Sequence, residues 1–244
     1  MKSHPQSLTS SKKWYPYFKG GTFRRWYGNK EYVVDYQYDG IRVKAGDRNP
    51  SIYFKDNINW SKISSGYFSA RCGEIGALYD DAACQCSVFN FQDYNYILGV
   101  LNSKYAQQIL WSKSQTFNYI SSEVSKIPIK MEVTCRSNIE TTVQVNIAIS
   151  KQDWDAHETS WDFEENELIR MQEHCEELGR NPHLMEDCYH CYQEEWTEKF
   201  NQLHENEEEL NRQFIEIYGL EDELTPDVPL DEITILQQGE ITIE

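Results

Sequence analysis

Several absences limit what this 244-residue chain can be. It has no run of roughly 18 apolar residues, so no transmembrane helix is expected. Its opening, MKSHPQSLTSSKK, lacks the apolar centre of a secretory signal. The expectation is a cytoplasmic protein with no membrane partner. Seven cysteines, an odd number without an export signal, read as reduced thiols rather than a disulfide framework. No Ser-His-Asp or nucleophilic Cys arrangement stands out, and the carboxylates come in dense runs typical of exposed helices rather than as a catalytic pair. Positive charge is scarce towards the end. Residues 151–244 hold 5 Lys+Arg against 28 Asp+Glu, a balance of −23, whereas residues 1–150 hold 18 against 12, a balance of +6; together they give the net −17. Only the first part can lie on phosphates without long-range repulsion.

Rings and cations are concentrated instead in KWYPYFKGGTFRRWYGN, Lys13 to Asn29, around a Gly-Gly pair. Residues 1–12 read as disordered. Short β-type runs follow (EYVVDYQY, IRVKAG, SIYF, INWSKI, YFSARC, CQCSVFNF), punctuated by the turn signals Asp39-Gly40 and Asn49-Pro50. With Asp93 as N-cap, YILGVLNSKYAQQILWSK repeats apolar residues at helical spacing and predicts one long packed helix. Pro128 returns the chain to extended structure. Residues 131–160 offer further strands, MEVTC and TTVQVNIAI, and then a linker. From Trp161 to Tyr218 the apolar spacing turns helical again, broken at Gly179, Asn181 and Pro182, which predicts an acidic αα-hairpin. The last stretch, residues 219–244, reads as a truncated tail without a closing element. The expected fold is thus α+β: a mainly β domain over 13–150, then a helical hairpin or spacer over 151–218.

KWYPYFKGGTFRRWYGNKEYVV, NINWSKISSGYFSAR, YILGVLNSKYAQQIL, SKIPI and NEEELNRQFIEIYGLEDELTPDV together resemble the PglX-type adenine-specific DNA methyltransferases of BREX phage-defence systems. The LNSK helix followed by a Pro-Ile strand is also similar to recognition domains of type IIG restriction-modification enzymes and type I specificity subunits. The resemblance implies a target-recognition region, the part that reads sequence while another domain methylates adenine N6. Such enzymes carry a glycine-rich S-adenosylmethionine loop and an Asn-Pro-Pro-Tyr motif that holds the flipped adenine. Neither is present: Asn49-Pro50 runs into Ser51-Ile52, and Asn181-Pro182 into His183. No cofactor and no catalytic residue are therefore expected in this chain, with S-adenosylmethionine implied only for a full-length enzyme. Double-stranded DNA, the missing methyltransferase domain and other phage-defence proteins are the implied partners.

Three segments offer DNA contacts. Lys19, Gly20 and Gly21 suit a phosphate-contacting turn, and Arg24 or Arg25 suits phosphate or the O6/N7 edge of guanine. An alternative makes Trp14, Tyr17, Phe23 and Trp26 simple core. Ser61, Lys62, Ser64 and Arg71 form a second candidate surface, with an ordinary polar hairpin as its alternative. Asn118, beside Thr116 and Tyr119, has the amide that can pair with adenine N6/N7. His174, Cys175, Cys188 and Cys191 have ligand types that suit zinc, but no second CxxC accompanies them, and no metal is expected. A rival reading makes the chain a protein-binding module acting through its acidic arm, including a mimic of DNA charge.

Overall fold

Tyr15 and Phe18 pack inward from WYPYF, and this anchors β1 (Trp14–Phe18) between two partners. It pairs antiparallel with β2 (Tyr32–Asp35) and parallel with β5 (Leu78–Tyr79). A one-turn helix, α1 (Gln37–Gly40), follows β2 where the sequence predicts continued strand. A second three-stranded sheet places β3 (Ile58–Ser61) between β4 (Ala70–Cys72) and β6 (Ala83–Cys86), both antiparallel. These assignments come from a computed structural model that describes residues 12–43, 53–64, 66–88, 90–113 and 117–236. Asn49-Pro50, Thr116 and most of the expected disordered opening lie outside the described residues.

The protein is α+β and divides into two compact units, Met1–Met131 and Glu132–Glu244. In the first unit the single predicted helix is two, α2 (Tyr94–Leu101) and α3 (Lys104–Lys113). The break falls at Asn102, whose side chain accepts a hydrogen bond from the Ala70 amide at 2.8 Å and donates to the Ala70 carbonyl at 3.0 Å. Asn102 thus serves the edge of β4 beside the Trp26–Arg71 bridge, giving the Ala70 amide its acceptor. Ser103 Oγ then accepts from the Ala106 amide and restarts the helix. Asp93 makes no side-chain cap; Asn90 instead caps the 3-10 turn before α2. The Tyr96 and Tyr105 hydroxyls donate to the Lys130 and Pro128 carbonyls and hold the IPIK segment in place. A one-turn α4 (Ser121–Val124) completes the unit.

The second unit is helical from its start. The strands expected over residues 131–149 are replaced by α5 (Arg136–Asp155). Ile139, Val143, Asn146, Ser150 and Asp153 are buried at steps of 3 and 4, so the helical period outweighs the strand preference of the Val, Ile and Thr side chains. The boundary expected at residue 150 therefore falls inside a helix. The hairpin forms from α6 (Glu167–Glu177) and α7 (Met185–Tyr218), and α7 runs about 50 Å at 1.5 Å per residue. Gly219, at φ 66°, caps it in the left-handed region. Up to residue 236 the tail packs back onto the helices of this unit. Asn211 donates to the Pro226 carbonyl, Glu208 accepts from the Val228 amide, and buried Asp153 accepts from the Leu236 amide at 2.9 Å. Val228, Ile233 and Ile235 are buried there.

Candidate nucleic-acid interface

The residues that the sequence offers for DNA contact separate into an interior group and a surface group. Arg24, Arg25 and Arg71 are 1 %, 7 % and 0 % exposed, so none presents its guanidinium to a phosphate arriving from solvent. Arg71 Nη1 donates to the Arg24 carbonyl at 3.3 Å and Nη2 to Ser61 Oγ at 3.2 Å, while Ser61 Oγ donates to the Gly21 carbonyl at 3.1 Å. The Trp26 amide donates to the Ala70 carbonyl and the Cys72 amide to the Trp26 carbonyl. The Lys13–Asn29 block is thereby tied to β3 and β4 through Arg71 and Ser61. Burial and the neighbouring Arg24 pull the Arg71 pKa down to about 10, which leaves it charged at neutral pH. Of the rings that the core alternative names, Trp26 is buried, Tyr17 and Phe23 are half-buried and Trp14 is exposed, while Tyr15, Phe18 and Tyr27 are buried beside them.

The Gly20–Gly21 turn, offered for phosphate, is packed closely against neighbouring segments. A Cβ at Gly20 would meet the Ala82 carbonyl oxygen at 2.7 Å, and one at Gly21 would meet the Asn29 side chain at 2.6 Å. The space that glycine leaves is already filled by protein.

The surface group lies elsewhere. Ile63 and Asn118 form an antiparallel bridge, the Ser64 amide donates to the Phe117 carbonyl at 3.1 Å, and the Tyr119 amide donates to the Lys62 carbonyl at 2.7 Å. Two segments more than fifty positions apart thus become one loop pair. Tyr119 is its internal post: its carbonyl accepts from Trp60 Nε1 at 2.7 Å and its hydroxyl donates to the Gly66 carbonyl at 2.7 Å. Gln107 of α3 accepts from the Phe68 amide at 2.6 Å and fixes the neighbouring turn. Lys62 is half-buried, Asn118 is exposed, and Ser64 Oγ donates to the Tyr67 carbonyl.

Sequence reasoning did not single out Tyr67 or Trp111, and named Phe23 only as a core alternative. Phe23, Tyr67 and Trp111 form a train with centroid separations of 6.2 and 5.5 Å, and the Arg25 guanidinium lies 5.2 Å from the Phe23 ring. Ile63 and Phe117 are exposed at the loop pair. One signal was available for Trp111, which falls off the buried stripe of Tyr105, Ala106 and Leu110 on α3. Lys19 is exposed and lies 5.1 Å from the Tyr32 ring. Among the described residues of the first unit the positive charge at the surface is mostly lysine, whereas Arg24, Arg25 and Arg71 are buried.

Cys175, Cys188 and Cys191 are buried in the hairpin and make hydrogen bonds there. The Cys175 thiol donates to the Asp187 carbonyl, Cys188 to the Pro182 carbonyl, and Arg180 donates to Cys191 Sγ, each at 3.4 Å. His174 instead pairs with Glu177 at 3.8 Å. Among the described residues no group of three or more His, Cys, Asp or Glu side chains is placed to hold a metal ion. No helix among them is long and apolar enough to cross a membrane.

Comparison with known proteins first gives the class: the chain is a homologue of adenine-specific methyltransferases. The particular relatives are PglX of Lacticaseibacillus casei (strain Zhang) and BrxX of Escherichia coli O9:H4 (strain HS), each an adenine-specific methyltransferase. The first is 35% identical over 237 residues, 92% of this chain and 19% of that protein. The second is 37% identical over 163 residues, 64% of this chain and 13% of that protein. The chain thus spans less than a fifth of the length of these relatives. No protein-family model matches it.

Proposed function

We propose that this chain is a DNA target-recognition region of a BREX-type adenine-N6 DNA methyltransferase, and that it reads duplex DNA through the loop pair 62–64 and 117–119. The observation that carries this reading is the Ile63–Asn118 bridge. It brings a lysine-bearing segment beside an exposed amide suited to adenine and the exposed Ile63 and Phe117 side chains. Lys62 and Lys19 supply phosphate contacts, Asn118 a base-edge contact, and buried Arg71 and Ser61 hold the scaffold. The methyl-transfer step belongs to a domain that this chain does not supply.

The test is binding of a fluorescent duplex to the full chain, measured by anisotropy as salt is raised. Affinity is expected to fall steeply with salt, and Lys62→Ala to lower the slope by about one. Asn118→Ala is expected to weaken a cognate site by about 1–3 kcal/mol while sparing unrelated duplexes. A folded chain that ignores duplex DNA at low salt overturns the reading, as does binding that neither substitution changes.

A further inference from the structure

The second unit contains an open cleft of about 760 Å³ between the end of α5, the loop 156–166 and the start of α6. Its size lies within the roughly 300–1,000 Å³ typical of ligand-accepting pockets. Trp161 is on its wall, 45 % exposed and with no ring partner among the described residues. The two cations in the lining are already held: Lys151 by Asp155 and by Asp162 at 2.8 Å, Arg170 by Glu167 at 2.7 Å and by Glu195 at 2.9 Å. Glu164 and Glu165 also line the cleft, exposed and with no ion pair among the described residues.

The cations of this unit are all committed in the same way. Arg136 pairs with Glu140, Arg180 with Glu194, Lys199 with Glu195 and Arg212 with Glu209. With Lys151 and Arg170 these are all the lysines and arginines of residues 132–244. A cation that satisfies Glu164 and Glu165 must therefore come from outside the unit. A bare indole face beside free carboxylates suits a guanidinium or ammonium group, which gains ring attraction and charge pairing together. Phosphate, by contrast, is repelled.

We propose that this cleft docks an arginine- or lysine-bearing segment of a partner protein, with one basic side chain stacked on Trp161 and paired with Glu164 or Glu165. This site belongs to the second unit alone and stands whether or not the loop pair of the first unit binds DNA.

The experiment uses the full chain and a fluorescein-labelled Gly-Arg-Gly-Arg-Gly peptide, with Gly-Gln-Gly-Gln-Gly as the neutral probe. The arginine peptide is expected to bind and the neutral one not. Trp161→Ala and the pair Glu164→Gln/Glu165→Gln are each expected to weaken binding about three- to tenfold, and Trp161→Phe to retain it. The pair Glu198→Gln/Glu205→Gln removes the same charge from exposed positions on α7 and is expected to change affinity less than about twofold, because exposed charges at a distance are screened. Circular dichroism of each variant checks the fold, and the carboxamide pair keeps the test open if Trp161→Ala unfolds. Equal weakening by the α7 pair would mean diffuse attraction to an acidic surface and would overturn the proposal. So would an unchanged affinity in Trp161→Ala or in the 164/165 pair, or a wild-type chain that ignores the arginine peptide.

Discussion

At Gly20 the backbone sits at φ 83° and the Ala82 carbonyl oxygen lies where a methyl group would go, so a composition that suggests phosphate binding serves close packing instead. Gly20→Ala should lower stability by about 1–3 kcal/mol, measured by urea unfolding. If the turn only served a ligand, the substitution would leave the unfolding midpoint in place. Cys175 follows the same logic of burial. Removal from water, with further contributions from Cys191 and Cys188, pushes its thiol up to about 12. At pH 8 it should therefore stay unalkylated by iodoacetamide in the native chain and react only after denaturation, as read by peptide mass spectrometry. Rapid native labelling at Cys175 would contradict this placement.

Helix α2 shows how an element is set by a partner outside itself. Apolar spacing runs unbroken from Tyr94 to Leu110, yet the helix stops at Asn102 because that side chain serves Ala70 of β4 with both its donor and its acceptor. Asn102→Ala improves local helix propensity but strips the β4 edge of two hydrogen bonds. The loss should dominate, lowering stability by about 1–2 kcal/mol in thermal or urea melts. A gain in stability would show that propensity wins and that the staple is dispensable. In the second unit Phe214 is fully buried on α7, and Phe214→Ala should cost about 3–5 kcal/mol. That loss should appear in the transition that reports helix content of residues 132–244.

For the whole molecule, charge divides along the unit boundary more sharply than along residue 150. Residues 1–131 hold 17 Lys+Arg and 10 Asp+Glu, or +7; residues 132–244 hold 6 and 30, or −24, summing to −17. Ion pairs organise the acidic unit, and Glu195 is central to them. Burial opposes its ionisation, but hydrogen bonds from Lys199 and Arg170 outweigh burial and hold its carboxyl below the usual 4.5. A depressed folded-state pKa gives stability that is complete above the unfolded value and lost as pH falls through the folded one. The melting temperature of the second unit should therefore decline below about pH 4.5, and Glu195→Gln should flatten part of that decline. An identical acid profile for the variant would exclude Glu195 from the effect.

The sequence by itself determined the α+β class, the amphipathic hairpin with its Gly179–Pro182 break, the charge division and the methyltransferase resemblance. The first three rest on periodicity, composition and local turn chemistry, and the resemblance on the quoted sequence blocks, all of which are local in the chain. It misread TTVQVNIAI as strand because β-branched residues favour strands in isolation, while burial of Ile139, Val143 and Asn146 against other helices selects the helix. Only the tertiary structure decided which cations are interior and which lie at the surface. Arg24 and Lys19 are alike in composition, yet one is buried and the other exposed. Likewise only folding brought Ile63 beside Asn118, because pairing across more than fifty residues depends on the sheet between them and leaves no mark in either segment alone.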